Sequence, residues 1–269
     1  MSGGSISPHA SPLRLAAGDA EVDVAPADGG RIASFRVAGR ELLVTEGVGP
    51  VAWGAYPMAP FAGRIRHGTF TFDGRTHQLP INWPPHAIHG VVFDRPWTVV
   101  DESAIEIRLA PEWPFRGTAV QRFTLEPERL TVSMELSADE PMPADIGWHP
   151  WFRRRLGPDE PEVELRFAAE SMFARDGEGI PTGELVPPTP RPWDECFTGV
   201  WSDPVLAWPG VLELEIGSSC ECWVVYDEPA DAICVEPQTG PPDSPNIAPR
   251  FVGPGRPLVA TMEWRWRRL

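Results

Sequence analysis

The segment Leu130–Leu136, "LTVSMEL", decides the fold. Leu130, Val132, Met134 and Leu136 fall on one face of an extended chain, and Thr131, Ser133 and Glu135 on the other. This is the period-two pattern of a strand with one buried face. The same alternation returns in "LELEI" from Leu212 and in "VATMEWRW" from Val259. Turn residues separate such runs: Asp73-Gly74 stands between "TFTF" and "RTHQL", and "EPER" at Glu126 to Arg129 joins two strands, as hairpins require. Helical periodicity is nearly absent, and the 33 prolines and 25 glycines fall between the alternating runs, where they interrupt any long helix. The expectation is an all-β protein, a large antiparallel sandwich.

A chain of 269 residues buries a substantial core, and large all-β folds of this length often form one domain, so residues 13–269 are expected as a single unit. Residues 1–12, "MSGGSISPHASP", have no basic region and no apolar core and read as a flexible tail rather than a signal peptide. A net charge of −15 argues against nucleic acid and anionic membranes as partners. No apolar run is long enough to span a membrane. The chain contains no Lys, which removes Schiff-base chemistry and the lysine of a phosphate-binding loop. Cys196, Cys220, Cys222 and Cys234 lack C-x-x-C spacing and read as reduced thiols of a cytoplasmic protein. In "SCECW" the spacing puts Cys220 and Cys222 on one face of a strand, where core packing is the plainer reading and a metal pair the sharper one.

In "DAICVEPQTGPPDSPN", Asp231 to Asn246, an apolar run leads into Glu236 and a Pro- and Gly-rich loop follows, so the carboxylate sits at the mouth of a buried strand. Such an acid is either paired structurally or used chemically. His89, in the loop "PPHAIHG", and His149, flanked by tryptophans in "DIGWHPWF", are the histidines placed to join it. Each taken alone also reads as a satisfied structural histidine. Burial should keep His149 mostly neutral. The proline-stiffened "VPPTPRPWDE", Val186 to Glu195, would hold Asp194 in a fixed place. Twelve tryptophans stand against two tyrosines, and Trp83, Trp148, Trp151 and Trp193 neighbour the polar candidates. An aromatic face over a sugar's C–H face leaves the hydroxyls to polar side chains. A carboxylate and a histidine together form a base and an acid suited to moving protons between two oxygens, as opening a sugar hemiacetal demands.

Four segments carry a resemblance: "PFAGRIRHGTFTFDGRTHQLPINWPPHAIHG" from Pro60, "GWHPWF" from Gly147, "WDECFTGV" from Trp193 and "CVEPQTGPPDSPN" from Cys234. In this order they resemble the signatures of the aldose 1-epimerase (galactose mutarotase) family. The resemblance implies a β-supersandwich with a sugar cleft, no cofactor, no metal and a small sugar as partner. It implies that Glu236 is the general base, His149 the acid that protonates the ring oxygen, and His89 the second histidine near that oxygen. It further implies that Arg64 and Asp194 bind hydroxyls; Trp148 and Gln238 complete the expected substrate-binding set. The chain departs from the family pattern at Gly63, where Asn is common, at Val91 after His89-Gly90, and around His149, where Asn before and Tyr after are more frequent. These departures alter the walls and leave the proton-transfer pair intact. The carboxylate is expected to set the acid limb of the pH profile and the histidine the alkaline limb.

Three rival readings remain. A cupin-type metal enzyme would gather His86, His89 and His149 with a Glu. A non-catalytic sugar-binding module would use the same cleft without turnover. A 1-epimerase for hexose 6-phosphates or another anionic sugar would need Arg66, Arg75 and Arg95 to converge on the anion.

Overall fold

The computed structural model describes residues 12–109 and 111–269, so the expected N-terminal tail lies, apart from its last residue, outside the described residues. Strands dominate, and the longest helix among the described residues is the single turn Ser244–Ile247. Among the described residues no helix is long and apolar enough to cross a membrane.

Two antiparallel sheets carry the fold, one of 11 strands and one of 8. The smaller is built around Gly117–Glu126, Arg129–Ala138 and Leu258–Arg268. Here the alternation of "LTVSMEL" is realised: Leu130, Val132, Met134 and Leu136 are all buried, while their neighbours face outward. Ala260, Met262, Trp264 and Trp266 repeat the pattern on the adjacent strand.

The centre of the larger sheet runs Arg31–Val37, Ala55–Met58, Gly147–Arg153, Ala232–Gln238, Cys222–Tyr226 and Asp194–Val200. Its inner face packs on the smaller sheet: Trp264 lies 5.1 Å from both Phe35 and Phe152, ring centre to ring centre. One core cluster runs from Leu13 to Trp266 through both sheets.

Both faces of the larger sheet are covered, and its central strands read as continuous runs for that reason. In Ala232–Gln238 every residue is buried, Ile233 and Val235 in the core between the sheets. Cys234, Glu236 and Gln238 project to the opposite face by the strand's alternation. Gly147–Arg153 divides the same way, and this places Trp148 in the core, where its indole N–H donates to Gln121 Oε1 of the smaller sheet at 3.0 Å. The expectation that Trp148 binds substrate is therefore corrected by parity: its strand neighbours His149 and Trp151 face outward instead. Trp193 also packs away from that side, against Phe167 and Phe197. Cys220 precedes its strand and joins the main core, whereas Cys222 packs with Cys196 and Val224, so the two do not share a face. All four cysteines are free and buried.

Trp148→Phe removes the donor to Gln121 while keeping an aromatic ring. We expect a loss of roughly 1–3 kcal/mol in urea unfolding, because a buried acceptor is left unpaired. An unchanged midpoint would mean that the cross-sheet hydrogen bond contributes nothing.

Candidate active site

A cavity of about 610 Å³ lies on the outer face of the larger sheet. Its floor is the middle of the central strands, where alternation delivers polar side chains into a region flanked by backbone already paired in the ladder. Glu236 comes from Ala232–Gln238 and His149 from the neighbouring Gly147–Arg153. His149 Nε2 stands 3.2 Å from Glu236 Oε1, and both side chains are almost fully buried. The remaining carboxylate oxygen accepts from Gln238 Nε2 at 3.3 Å.

Burial drives the two groups in opposite senses, since it disfavours the charged form of each. The Glu236 carboxyl is held well above the usual carboxylate range, mainly by burial and secondarily by the negative charge of Asp194, with Gln238 and Arg64 opposing. The His149 imidazole is pushed down to about 3, again chiefly by burial, with Arg64 and Arg31 adding to it. His89 is lowered for the same reason, its neighbours His149 and Arg64 contributing.

The His149 ring is clamped between parallel aromatics, Tyr56 at 4.8 Å and Trp151 at 5.3 Å. His89 meets it edge-on at 5.1 Å. His89 has φ of 62°, and the following Gly90 has φ of 82° with Ala59 O only 2.0 Å from where a Cβ would stand. Only glycine permits this turn, which is how the "HG" pair in the loop brings His89 over the strands. Behind the clamp lies Arg31, almost fully buried, whose guanidinium donates to the carbonyls of Asp28, Trp53 and Phe93 and sits 4.2 Å over the Trp53 ring.

Toward the mouth, Arg64 Nη2 is 3.6 Å from Asp194 Oδ2, and Arg175 Nη1 donates to the same oxygen at 3.2 Å. Arg175 also holds Glu195 at 2.6 Å. The proline-rich segment before Asp194 is anchored by buried Asp227, which accepts from Trp193 N at 2.5 Å and pairs with Arg191. Thus Glu236, His149, His89, Arg64, Asp194 and Gln238 all line one cavity, and Trp148 alone of the expected set does not. Sequence reasoning missed Tyr56, Arg175 and Arg31. Nothing local marks them, because each matters through a strand neighbour far away in the chain. Gln238 Oε1 and Glu195 Oε2 are buried without a hydrogen-bond partner, an arrangement that suits a ligand rich in hydroxyl donors.

Of the metal-enzyme set, His89, His149 and Glu236 do share the cavity, and His149, Cys234 and Glu236 offer possible ligand atoms within 4.8 Å of one another, but His86 stands apart. His86 Nδ1 accepts from the backbone N of His67 at 3.1 Å and lies away from His149. Arg66 pairs with Asp176 and Glu178, Arg95 with Glu112, and Arg75 is exposed on a hairpin; none lines the cavity.

Asp145 braces the site from below. It accepts from Thr239 Oγ1 at 2.8 Å and from Ser244, tying the approach to His149 to the loop after Glu236. Burial raises its pKa to about 6, against the pull of Ser244, Thr239 and Arg250. Between the ordinary value and about 6 the folded state holds a proton that the unfolded state has lost, so this group's contribution to stability is lost as pH rises through that window. Asp145→Asn should remove that slope, worth roughly 3 kcal/mol in total, when urea unfolding of variant and parent is compared from pH 4 to 6.5. Parallel curves would show that folding leaves the pKa of Asp145 unchanged.

A family model, aldose 1-epimerase, matches residues 13–198. The uncharacterized protein YphB of Escherichia coli K12 is 26% identical over 219 residues, 70% of this chain and 73% of that protein. The galactose mutarotase of Sus scrofa is 33% identical over 138 residues, 47% of this chain but 40% of that enzyme's length. The crystal structure of a galactose mutarotase-like protein from Clostridium acetobutylicum superposes with a TM-score of 0.83 at 17% identity, covering 95% of each chain.

Proposed function

The chain belongs to the aldose 1-epimerase family, and we propose that it interconverts the α and β anomers of a neutral aldose by acid–base ring opening and closure. The observation that carries this reading is the buried Glu236–His149 pair at 3.2 Å. The hydroxyl and ring oxygens of a hemiacetal share one carbon, so the group that takes a proton and the group that gives one must be neighbours.

In the proposed cycle the Glu236 carboxylate removes the anomeric hydroxyl proton, the carbonyl forms at carbon 1, the bond from carbon 1 to the ring oxygen breaks, and that oxygen takes a proton from His149. Rotation about the bond between carbons 1 and 2, then the reverse steps, yields the other anomer. The pair begins and ends with one proton. Burial favours the uncharged arrangement with that proton on Glu236, and crossing to His149 makes the reactive arrangement. His89, kept neutral and with Nδ1 against Met58 Sδ, stands beside the ring oxygen as the second histidine, while Arg64, Asp194 and Gln238 hold hydroxyls. Trp151, already stacked on His149, offers the apolar wall that was expected of Trp148. Each positioned proton-transfer group typically contributes about 10²- to 10⁴-fold, enough for a reaction that water already permits. Of the arginines that a phosphorylated substrate would need, Arg66 and Arg95 are paired elsewhere and Arg75 is exposed outside the cavity, which favours a neutral sugar. We take residues 13–269 as one domain because a single core cluster spans them, and place the protein in the cytoplasm on its four unpaired thiols.

Burial reverses the expected order of the pH limbs. Gaining a second proton requires charging His149, and losing the shared proton requires ionising Glu236, so the acid limb belongs to the depressed histidine and the alkaline limb to the raised carboxyl. Polarimetry of fresh α-anomers with EDTA present should show catalysis that holds level across neutrality and declines only well below pH 6.5 on the acid side. An acid limb near the ordinary histidine value would refute the shared-proton scheme. Glu236→Gln and His149→Asn should each lower turnover by about 10²-fold or more, and the double variant should be only slightly worse than the poorer single one. Near-normal turnover in Glu236→Gln would make that residue a structural partner.

A further inference from the structure

We propose that Cys234, Glu236 and His149 form a three-ligand site for a soft divalent cation of the zinc class, and that the bound ion reversibly silences the centre. The binding rests on the three side chains alone, and the silencing rests on reading the Glu236 centre as a 1-epimerase. Cys234 and Glu236 are two residues apart on one strand and so share a face. The pairings of Gly147 with Gln238 and of Trp151 with Cys234 set His149 opposite Glu236 on the next strand. One donor atom from each of the three lies within 4.8 Å of the other two. The proposed catalytic cycle leaves the thiol without a task.

A thiolate, an imidazole and a carboxylate are donors that zinc favours, and three protein ligands with a fourth position facing a cavity make an accessible site rather than a sealed one. Bonds of about 2.0–2.2 Å at the tetrahedral angle set nitrogen and oxygen donors about 3.4 Å apart. His149 Nε2 and Glu236 Oε1 already stand at 3.2 Å. A zinc–sulfur bond of about 2.3 Å draws Cys234 Sγ inward by about 1 Å, within reach of a change in its side-chain torsion. Gln238 Nε2 holds the other carboxylate oxygen at 3.3 Å and so leaves Oε1 to the site. His149 and Glu236 line the cavity, which is the route of entry.

Charge balance favours the exchange. The thiol proton and the proton shared by Glu236 and His149 leave to solvent, and Zn²⁺ takes their place. Two anionic donors, a neutral imidazole and a dication then sum to zero, as the protonated set did, so the buried site gains no net charge. Asp194 adds a negative charge nearby, while Arg64, itself facing Asp194, and Arg31 oppose a cation. The chain's net charge of −15 concentrates cations around it. His149 Nδ1 is buried without a hydrogen-bond partner, so the imidazole lacks the outer support of a resident zinc ligand. That deficit weakens the hold by about 10- to 100-fold and makes the ion an exchangeable inhibitor rather than a built-in cofactor. With both groups bound to the ion, neither can move a substrate's protons.

Titration with Cd²⁺, followed by the ultraviolet thiolate-to-metal charge-transfer band, reads the site without turnover. One equivalent should bind the parent protein. Cys234→Ser, Cys234→Ala and Glu236→Gln, each with native circular dichroism, should weaken binding by at least about tenfold, the cost of losing even an outer partner of a ligand. Cys196 lines the cavity and packs with Cys222, so it is the competing thiol, and Cys196→Ser should leave the band in place. In polarimetry Zn²⁺ should inhibit the parent, EDTA should reverse the inhibition, and Mg²⁺ at the same concentration should have no effect. Cys234→Ser, measured against its own zinc-free rate, should resist Zn²⁺ by the same factor as its loss of Cd²⁺ affinity. No band in the parent, a band that survives in both Cys234 variants, or zinc inhibition undiminished in Cys234→Ser would overturn the proposal. A parent that shows the band but acts on no sugar would defeat the epimerase reading and leave the site standing, and an active parent without the band would do the reverse.

Discussion

Placing a carboxylic acid and an imidazole side by side in the middle of a sheet is the constraint on which the rest of this structure depends. Neither Glu236 nor His149 can carry its charge alone at that depth, and each is displaced from its ordinary pKa toward neutrality. Together they can share a proton at 3.2 Å without leaving a net charge. The surroundings hold this pair in place rather than relax it. Tyr56 and Trp151 clamp the imidazole, Gln238 holds the carboxylate, and Asp145 links the segments that carry both residues.

The sheet makes such a site possible because its two faces do different work. The inner face of the central strands packs Phe152, Ile233 and Val235 against the smaller sheet, and the outer face carries the cavity. Backbone hydrogen bonds are satisfied in the ladder, so the polar side chains are left available for a ligand. Arg31 shows how far the support extends. Its buried cation is held by three carbonyls and two aromatic rings, with the charges of Asp28 and Asp94 nearby, and it lies behind the same Tyr56 that stacks on His149.

The fold was legible because alternation is a local property. Leu130 to Leu136 and Ala260 to Trp266 show their buried face directly in the sequence. Glu236, His149 and His89 were legible because a charged or titratable residue in an apolar or glycine-bounded setting is locally conspicuous. Arg64 was not: it reads as surface on its own, and only the resemblance singled it out, whereas the proline-stiffened segment before Asp194 already marked that residue. Trp148 was misassigned because adjacency in sequence was taken for a shared face, whereas a strand turns neighbours to opposite sides and Trp151 holds the place beside His149. Arg175 and Tyr56 reach the site through strand pairings, Ala169–Arg175 with Asp194–Val200 and Tyr56 opposite His149. No local pattern encodes such pairings. The order of the pH limbs proposed here differs from the one expected for a related reason, since burial depth is a property of the assembled sheet.

The cleft continues from the buried pair to arginines compensated by carboxylates, and this sequence of surfaces matches a neutral, hydroxyl-rich ligand. Its chemistry depends on the single proton that we assign to the Glu236–His149 pair. NMR titration of the protein carrying labelled histidine and glutamate observes that proton directly. The account predicts that the His149 imidazole stays neutral to well below pH 6.5 while the Glu236 carboxyl stays protonated well above its ordinary range. A His149 that titrates near 6.5 beside a Glu236 already ionised there would contradict it.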